Sequence, residues 1–362
     1  MRRWICLFVI LVVTVQICQA RAKNVILFLG DAGGIPTLNI ASIREYDDPQ
    51  KLFLQHMAFI GLMDTSPADE WVTDSAAGMS AIVTGQKTNN GVLSESSAAI
   101  RGKKDGAILE TILEYAEQHG LSTGVLTNME LTDATPAACY AHVNDRRKWG
   151  EIFAQMFKPR YGDGVDVAIG AGRQEVLAAA AKAGVDVQSL AREGGYAFYS
   201  SLQDISPSDK RVIVLSRTGG FSVGDATSRV INILSRNKLG YFLMVEWDMH
   251  TENVKSGLDH VIAMDTTIRR TAQSVGKDTL MIFTADHSFD IRLRGGKKGE
   301  PLFSKSSARD TDSATPNVRV EDGHTGEQVL VAAQGPGAER VHGFMVNTDL
   351  FHIMMAAYGW EK

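Results

Sequence analysis

Six short apolar runs constrain the fold of this chain more tightly than any other feature of its sequence. They are Asn24 to Leu29 (NVILFL), Gly124 to Thr127, Val165 to Ile169, Val212 to Leu215, Tyr241 to Val245 and Thr279 to Thr284. Runs of this length suit strands, and a run that does not alternate suits a strand buried on both faces. Helical patterns separate them at Ile108 to Gln118, Glu175 to Ala183, Asp225 to Arg236 and Asn253 to Ser274. The last carries Leu258, Val261, Ile262 and Ile268 on one side, the spacing of a helix packed on a sheet. Such alternation predicts an α/β fold: a three-layer sandwich with a largely parallel central sheet and helices on both faces. Residues 291–320 are polar, basic and serine-rich, and predict a long loop.

The N-terminus is a separate matter. Met1-Arg2-Arg3 is basic, Trp4 to Val15 is almost wholly apolar, and small residues stand at cleavage spacing before Ala20 and Ala22. This layout predicts a signal peptide over 1–20, cleaved after Ala20 or Ala22, and one domain over 21–362 that is exported to a periplasmic or extracellular space. Cys6 and Cys18 leave with the leader, so Cys139 is alone and the mature chain has no internal disulfide. With 37 Lys and Arg against 42 Asp and Glu, the chain has no basic excess of the kind nucleic-acid binding needs. No apolar run is long enough for a membrane span once the leader is removed.

Ligands of parallel α/β sheets bind beyond the carboxyl ends of the strands. Three of the predicted strands end in acids: Asp31, Glu246 and Asp286. Glycines surround the first in GDAGG, where the backbone can turn tightly beside a ligand. Any one of these acids could simply cap a helix. Together with His287 next to Asp286, His250 two residues beyond Asp248, and His324 at the head of HTGE, they form a set of imidazoles and carboxylates suited to zinc. His56, His119, His260, His342 and His352 are assigned to surface or packing roles. Ser75, in TDSAAG, stands where a helix should begin. Its hydroxyl and the backbone N–H groups there would face the same anion. No Gly-x-Ser-x-Gly elbow surrounds it, so activation by a metal suits it better than a hydrolase triad.

GDAGG after a strand, TDSAA followed by TGQKT, then DATPAACYAH, ADH and HTGE occur in the order found in alkaline phosphatases. The chain resembles that family from about residue 24 to 358. The resemblance implies hydrolysis of phosphate monoesters, small molecules, through a phosphoserine formed on Ser75. It implies two zinc ions and one magnesium ion per chain. Asp286 and His287 match ligands of one zinc, and Asp31 the carboxylate shared between that zinc and the magnesium. Asp248, His250 and His324 match ligands of the other zinc. Asp133, Thr135 and Glu246 match the magnesium surroundings, an oxygen set that a hard cation prefers. Arg146, four residues after His142 in AHxxxR, matches the arginine that clamps the substrate phosphate, and Asp74 would orient it. A homodimer is left open.

The sequence departs from the family in places. The glycine loop usually reads GDGMG, and here Ala32 and Gly33 fill the middle. Arg147 stands beside Arg146. The family spaces its glutamate, zinc aspartate and histidine more widely than Glu246-Trp247-Asp248-Met249-His250 does. Periodicity predicts that this segment leaves its strand extended, with Glu246, Asp248 and His250 on the metal side and Trp247 and Met249 packed beneath. Only 36 residues separate His287 from His324, too few for the crown subdomain of larger members, so a compact bacterial-type member is implied. A sulfatase is disfavoured by the absence of x-Pro-x-Arg after Ser75. A phosphodiesterase or phosphonate hydrolase of the same superfamily, and an exported metal- or phosphate-binding protein without turnover, are the rival readings.

Overall fold

The computed structural model describes residues 21–303 and 317–361, so the leader lies outside the described residues. Among the described residues, twelve strands form two sheets. They are β1 (Asn24–Asp31), β2 (Phe59–Asp64), β3 (Ser122–Glu130), β4 (Val167–Ala171), β5 (Ala197–Tyr199), β6 (Val212–Leu215), β7 (Tyr241–Asp248), β8 (Thr279–Thr284), β9 (Ser288–Leu293), β10 (Val318–Thr325), β11 (Val329–Gln334) and β12 (Gly343–Val346). The helices are α1 (Ile35–Tyr46), α2 (Ser75–Thr84), α3 (Ile112–Gln118), α4 (Ala134–Ala137), α5 (Trp149–Met156), α6 (Arg173–Lys182), α7 (Val187–Glu193), α8 (Val223–Leu234), α9 (Val254–Ser274) and α10 (Asp349–Tyr358).

The central sheet has ten strands in the order β12-β2-β11-β8-β1-β7-β3-β4-β6-β5. Every pairing in it is parallel except those of β11 with β2 and β8. Helices flank both faces, and the parity of each strand decides which residue meets which layer. Val25, Leu27 and Leu29 of β1 join one core with α2, α3 and α5. Ile26 and Phe28 join the other with α1, α8 and α9. Strand β7 divides the same way, with Phe242 and Met244 in the first core and Leu243, Val245 and Trp247 in the second. This is the predicted sandwich.

Two expectations change. Helix α3 begins at Ile112, not Ile108, because Thr111 Oγ1 accepts from the Glu114 N–H and Glu114 Oε2 accepts from the Thr111 N–H. This capping box fixes the start. The ends of the expected loop 291–320 are strand: Ile291 to Leu293 finish β9, Val318 to Val320 begin β10, and the two pair antiparallel outside the main sheet. Buried Ile291 and Val318 supply the reason, each being about 1% exposed. Residues 304–316 of that segment lie outside the described residues. Among the described residues, no helix is long and apolar enough to cross a membrane.

Candidate active site

Strands β8, β1 and β7 are neighbours, so the three predicted strand-end acids arrive side by side. Leu29 lies in register with Glu246, and Asp31 with Asp248. Asp31, Glu246 and Asp286 are buried. By parity Asp31 and Glu246 face the α2 side, while Trp247 and Met249 belong to the opposite core. The ladder continues one residue past the strand end, where the Met249 N–H donates to the Asp31 carbonyl at 2.8 Å, and the His250 N–H then turns to the Asp248 side chain.

The GDAGG turn brings this end of β1 close to its neighbours. A Cβ on Gly30 would strike Met249, and one on Gly34 would strike Ser288. Ala32 sits at φ 65°, in the left-handed region. Such a conformation costs an L-residue ~1–2 kcal/mol, and the Ala32 N–H is turned to donate to Asp286 Oδ1 at 3.3 Å.

Ser75 is the first residue of α2. Its N-cap, Asp74, accepts from the Ala77 N–H through Oδ1, and its other oxygen, Oδ2, takes Arg146 Nη1 at 3.2 Å. Arg146 Nη2 donates to Asp133 Oδ1 at 3.1 Å. The buried Ser75 Oγ lies 3.3 Å from His287 Nε2 and 3.5 Å from Asp31 Oδ2. The expected nucleophile, clamp and clamp-orienting acid therefore share one site.

Donor atoms gather around them in three groups, the atoms of each lying within 4.8 Å of one another: His250, His287 and His324; Asp31, Asp286 and His287; Asp31, Asp133 and Glu246. Asp248 belongs to none of these groups. Its Oδ1 accepts from the His250 N–H and stands 2.8 Å from His250 Nδ1. The three imidazoles are oriented alike. His287 Nδ1 meets the Ser288 carbonyl at 3.1 Å, His324 Nδ1 meets the Thr73 carbonyl at 2.9 Å, and His250 Nδ1 meets Asp248. Each pairing leaves Nε2 for a ligand, the usual arrangement around a metal-binding histidine.

The electrostatics point the same way. Burial lifts Glu246 well above the usual carboxylate range, and the charges of Asp31 and Asp133 lift it further. Burial and Asp31 push Asp286 up to about 7. Burial also opposes ionisation of Asp31, but the charges of His250 and His287 outweigh it and hold Asp31 below its ordinary value. Asp31 Oδ1, Asp286 Oδ2, Thr135 Oγ1 and both Glu246 oxygens are buried without a hydrogen-bond partner of standard geometry. Buried acceptors left this way are costly unless a cation meets them. The residues fit metal ions.

Some contributors carry no signal in the sequence. Asn90 accepts from the Asp74 N–H, and the Thr73 carbonyl orients His324. His260, assigned to packing, also reaches the Asp248 carbonyl through Nδ1 at 2.6 Å. Each acts on a site residue from a distant or backbone position, which spacing alone does not reveal.

The sheet order, the strand-end acids and the serine at a helix start define a metal-dependent hydrolase, and the comparisons agree. The sequence profile of the alkaline phosphatase family matches residues 22–205 and 213–318, and the chain belongs to that family. It is 28% identical to alkaline phosphatase 4 of Bacillus subtilis over 93% of this chain and 88% of that one. It is likewise 28% identical to the alkaline phosphatase of Escherichia coli, over 93% and 86%. The solved alkaline phosphatase of the Antarctic bacterium TAB5 shares the fold, with a TM-score of 0.77 at 24% identity over 94% of this chain and all of that one.

Proposed function

We propose that the protein hydrolyses phosphate monoesters through a phosphoserine on Ser75, releasing inorganic phosphate and an alcohol. The observation that carries this reading is the buried Ser75 Oγ beside His287 and Asp31 of the metal-suited donor cluster, with the adjoining Asp74 holding the Arg146 guanidinium. Asp31, Asp286 and His287 would hold one zinc, and Asp248, His250 and His324 the second. Asp31, Asp133, Thr135 and Glu246 would hold magnesium. When bound, the zinc ions supply Lewis-acid stabilisation of charge on the attacking and leaving oxygens. Ser75 Oγ forms a bond to phosphorus as the ester P–O bond breaks and the alcohol departs. Water then attacks phosphorus, and the Ser75 oxygen leaves. Arg146 presents a planar fork of N–H groups to two phosphate oxygens, held in aim by Asp74 and Asp133. A monoester offers more unsubstituted oxygens to that fork than a diester does, and the backbone N–H groups at the start of α2 face the same anion. We also propose that residues 1–20 direct export.

Turnover of p-nitrophenyl phosphate and of the bis ester, with and without zinc, tests the reading. Monoester turnover should dominate and depend on zinc, and Arg146→Ala should weaken phosphate binding with metal content intact. Faster diester turnover would overturn the monoester assignment, and no turnover of either ester with zinc bound would overturn catalysis.

A further inference from the structure

Beyond the residues proposed to meet phosphate or metal, a buried polar network is centred on His142, four residues before Arg146 in the chain. His142 has a side chain only 2% exposed, and both of its ring nitrogens are engaged. Nδ1 meets the Ser94 carbonyl at 2.9 Å, and Nε2 lies 3.0 Å from Glu114 Oε1. Glu114 is fixed in turn by the Thr111 N–H at 2.9 Å and by Arg160 at 3.0 Å. The backbone of His142 is bracketed by one side chain: its N–H donates to Gln155 Oε1, and its carbonyl accepts from Gln155 Nε2.

Ser94 connects this network to the nucleophile. Its N–H donates to Ser80 Oγ, on α2, at 2.8 Å, its own hydroxyl donates to the Ala138 carbonyl, and its φ is 45°. The segments on either side run together as a short antiparallel pair. Leu93 and Val143 exchange backbone bonds, and the Arg146 N–H donates to the Gly91 carbonyl at 2.8 Å. The helix that begins with Ser75 and the segment that ends in Arg146 are thus joined at two places. One is the Asp74–Arg146 contact in the site. The other is the Ser80–Ser94–His142 chain.

A buried polar pair of this kind is weak evidence for stability, because packed apolar side chains of similar volume often stabilise as much or more. A fully satisfied network does, however, fix geometry. We propose that His142 is a positioning residue for Arg146, setting where the guanidinium stands relative to Ser75; this rests on the monoesterase reading. The His142 ring touches neither phosphate nor metal-suited donors, so its influence on the reaction passes through Arg146.

The test is a double-mutant cycle on the full chain, reading KM, kcat and inhibition by inorganic phosphate. His142→Ala should raise KM and the phosphate inhibition constant about tenfold, the scale of coupling between residues in one network, with kcat per folded molecule little changed. His142→Asn, which can keep a donor toward Ser94, should recover most of that loss. In an Arg146→Ala background, His142→Ala should add almost nothing. If His142→Ala does not fold, Glu114→Gln provides the same comparison. Loss of kcat or of melting temperature with the phosphate constant unmoved, or full additivity with Arg146→Ala, would overturn the proposal. An Arg146→Ala variant that itself leaves phosphate binding unchanged would instead break the monoesterase reading.

Discussion

Among the regions of this protein that take carboxylates out of water, two treat them differently. Under α3, Glu117 accepts from Thr123 Oγ1 at 2.6 Å and from the Gly164 N–H at 3.1 Å, and Asp166 accepts from the Thr123 N–H at 2.9 Å. Burial pushes Glu117 up to about 8 and Asp166 to about 6. Protein donors satisfy these groups, and burial favours their protonated forms. At the ends of β8, β1 and β7, Asp31, Asp286 and Glu246 are buried more deeply, yet they keep oxygens without a hydrogen bond of standard geometry. Asp31, Asp133 and Glu246 also crowd one another, so ionising all three raises a repulsion that only positive charge relieves. A shifted carboxylate alone is therefore a poor marker of function. Unmet oxygens converging from several strands are a better one.

The largest expected effect separates the two regions by their need for a cation. Chelation with EDTA should abolish turnover and lower the melting temperature, since metal held only by the folded state adds about 4 kcal/mol at a free concentration a thousand times its Kd. Dithiothreitol should leave the melt unchanged, because Cys139 is a buried free thiol. A melt insensitive to EDTA but sensitive to dithiothreitol would break the comparison.

A smaller effect falls on the compressed strand-end segment. Asp248→Ala and His250→Ala should each lose the second zinc and retain the first, as measured by metal analysis after dialysis. Unchanged zinc in both variants would remove Asp248 and His250 from the donor set.

The smallest effect belongs to the region under α3. The Glu117 value of about 8 in the folded protein exceeds its ordinary 4.5. Its stabilising contribution is therefore complete below the ordinary value and disappears as pH rises through about 8. Glu117→Gln should gain on the parent protein between about pH 4.5 and pH 8 and stay level above it, by several degrees of melting temperature at ~2–4 °C per kcal/mol. Its response to EDTA should match the parent's. A melting difference that stays constant with pH would contradict the burial argument for Glu117.

Much of this comparison could be anticipated from the sequence, and the limits have physical causes. Strands β6 and β8 have the expected bounds, and the strand-end acids meet, because continuous apolar runs and parallel neighbours leave few other arrangements. The opposite facing of Glu246 and the pair Trp247 and Met249 was legible because side chains alternate along an extended chain, whereas Asp248, expected with Glu246 on the metal side, bonds His250 and joins none of the donor groups. Strands β2, β11 and β12 were not legible. Strands β2 and β12 are half exposed and lack a continuous buried run, and β11 pairs antiparallel with β2, a partner more than two hundred residues earlier. The β9–β10 pair was hidden because its residues are polar where they face solvent. Within the site, Ser75 and the histidines could be named from motif and residue type. Thr73 and His260 could not, since the first acts through its carbonyl and the second reaches a backbone oxygen across the fold.

The central claim is that Ser75, set among these donors, takes the phosphoryl group. The direct measurement is acid quenching of the zinc-loaded enzyme during turnover of p-nitrophenyl phosphate, followed by peptide mass spectrometry of the parent protein and of Ser75→Ala. The account predicts a phosphorylated peptide containing Ser75 in the parent, and no phosphopeptide and no turnover in the variant. Sustained turnover by Ser75→Ala, or phosphate found on a different residue, would contradict it.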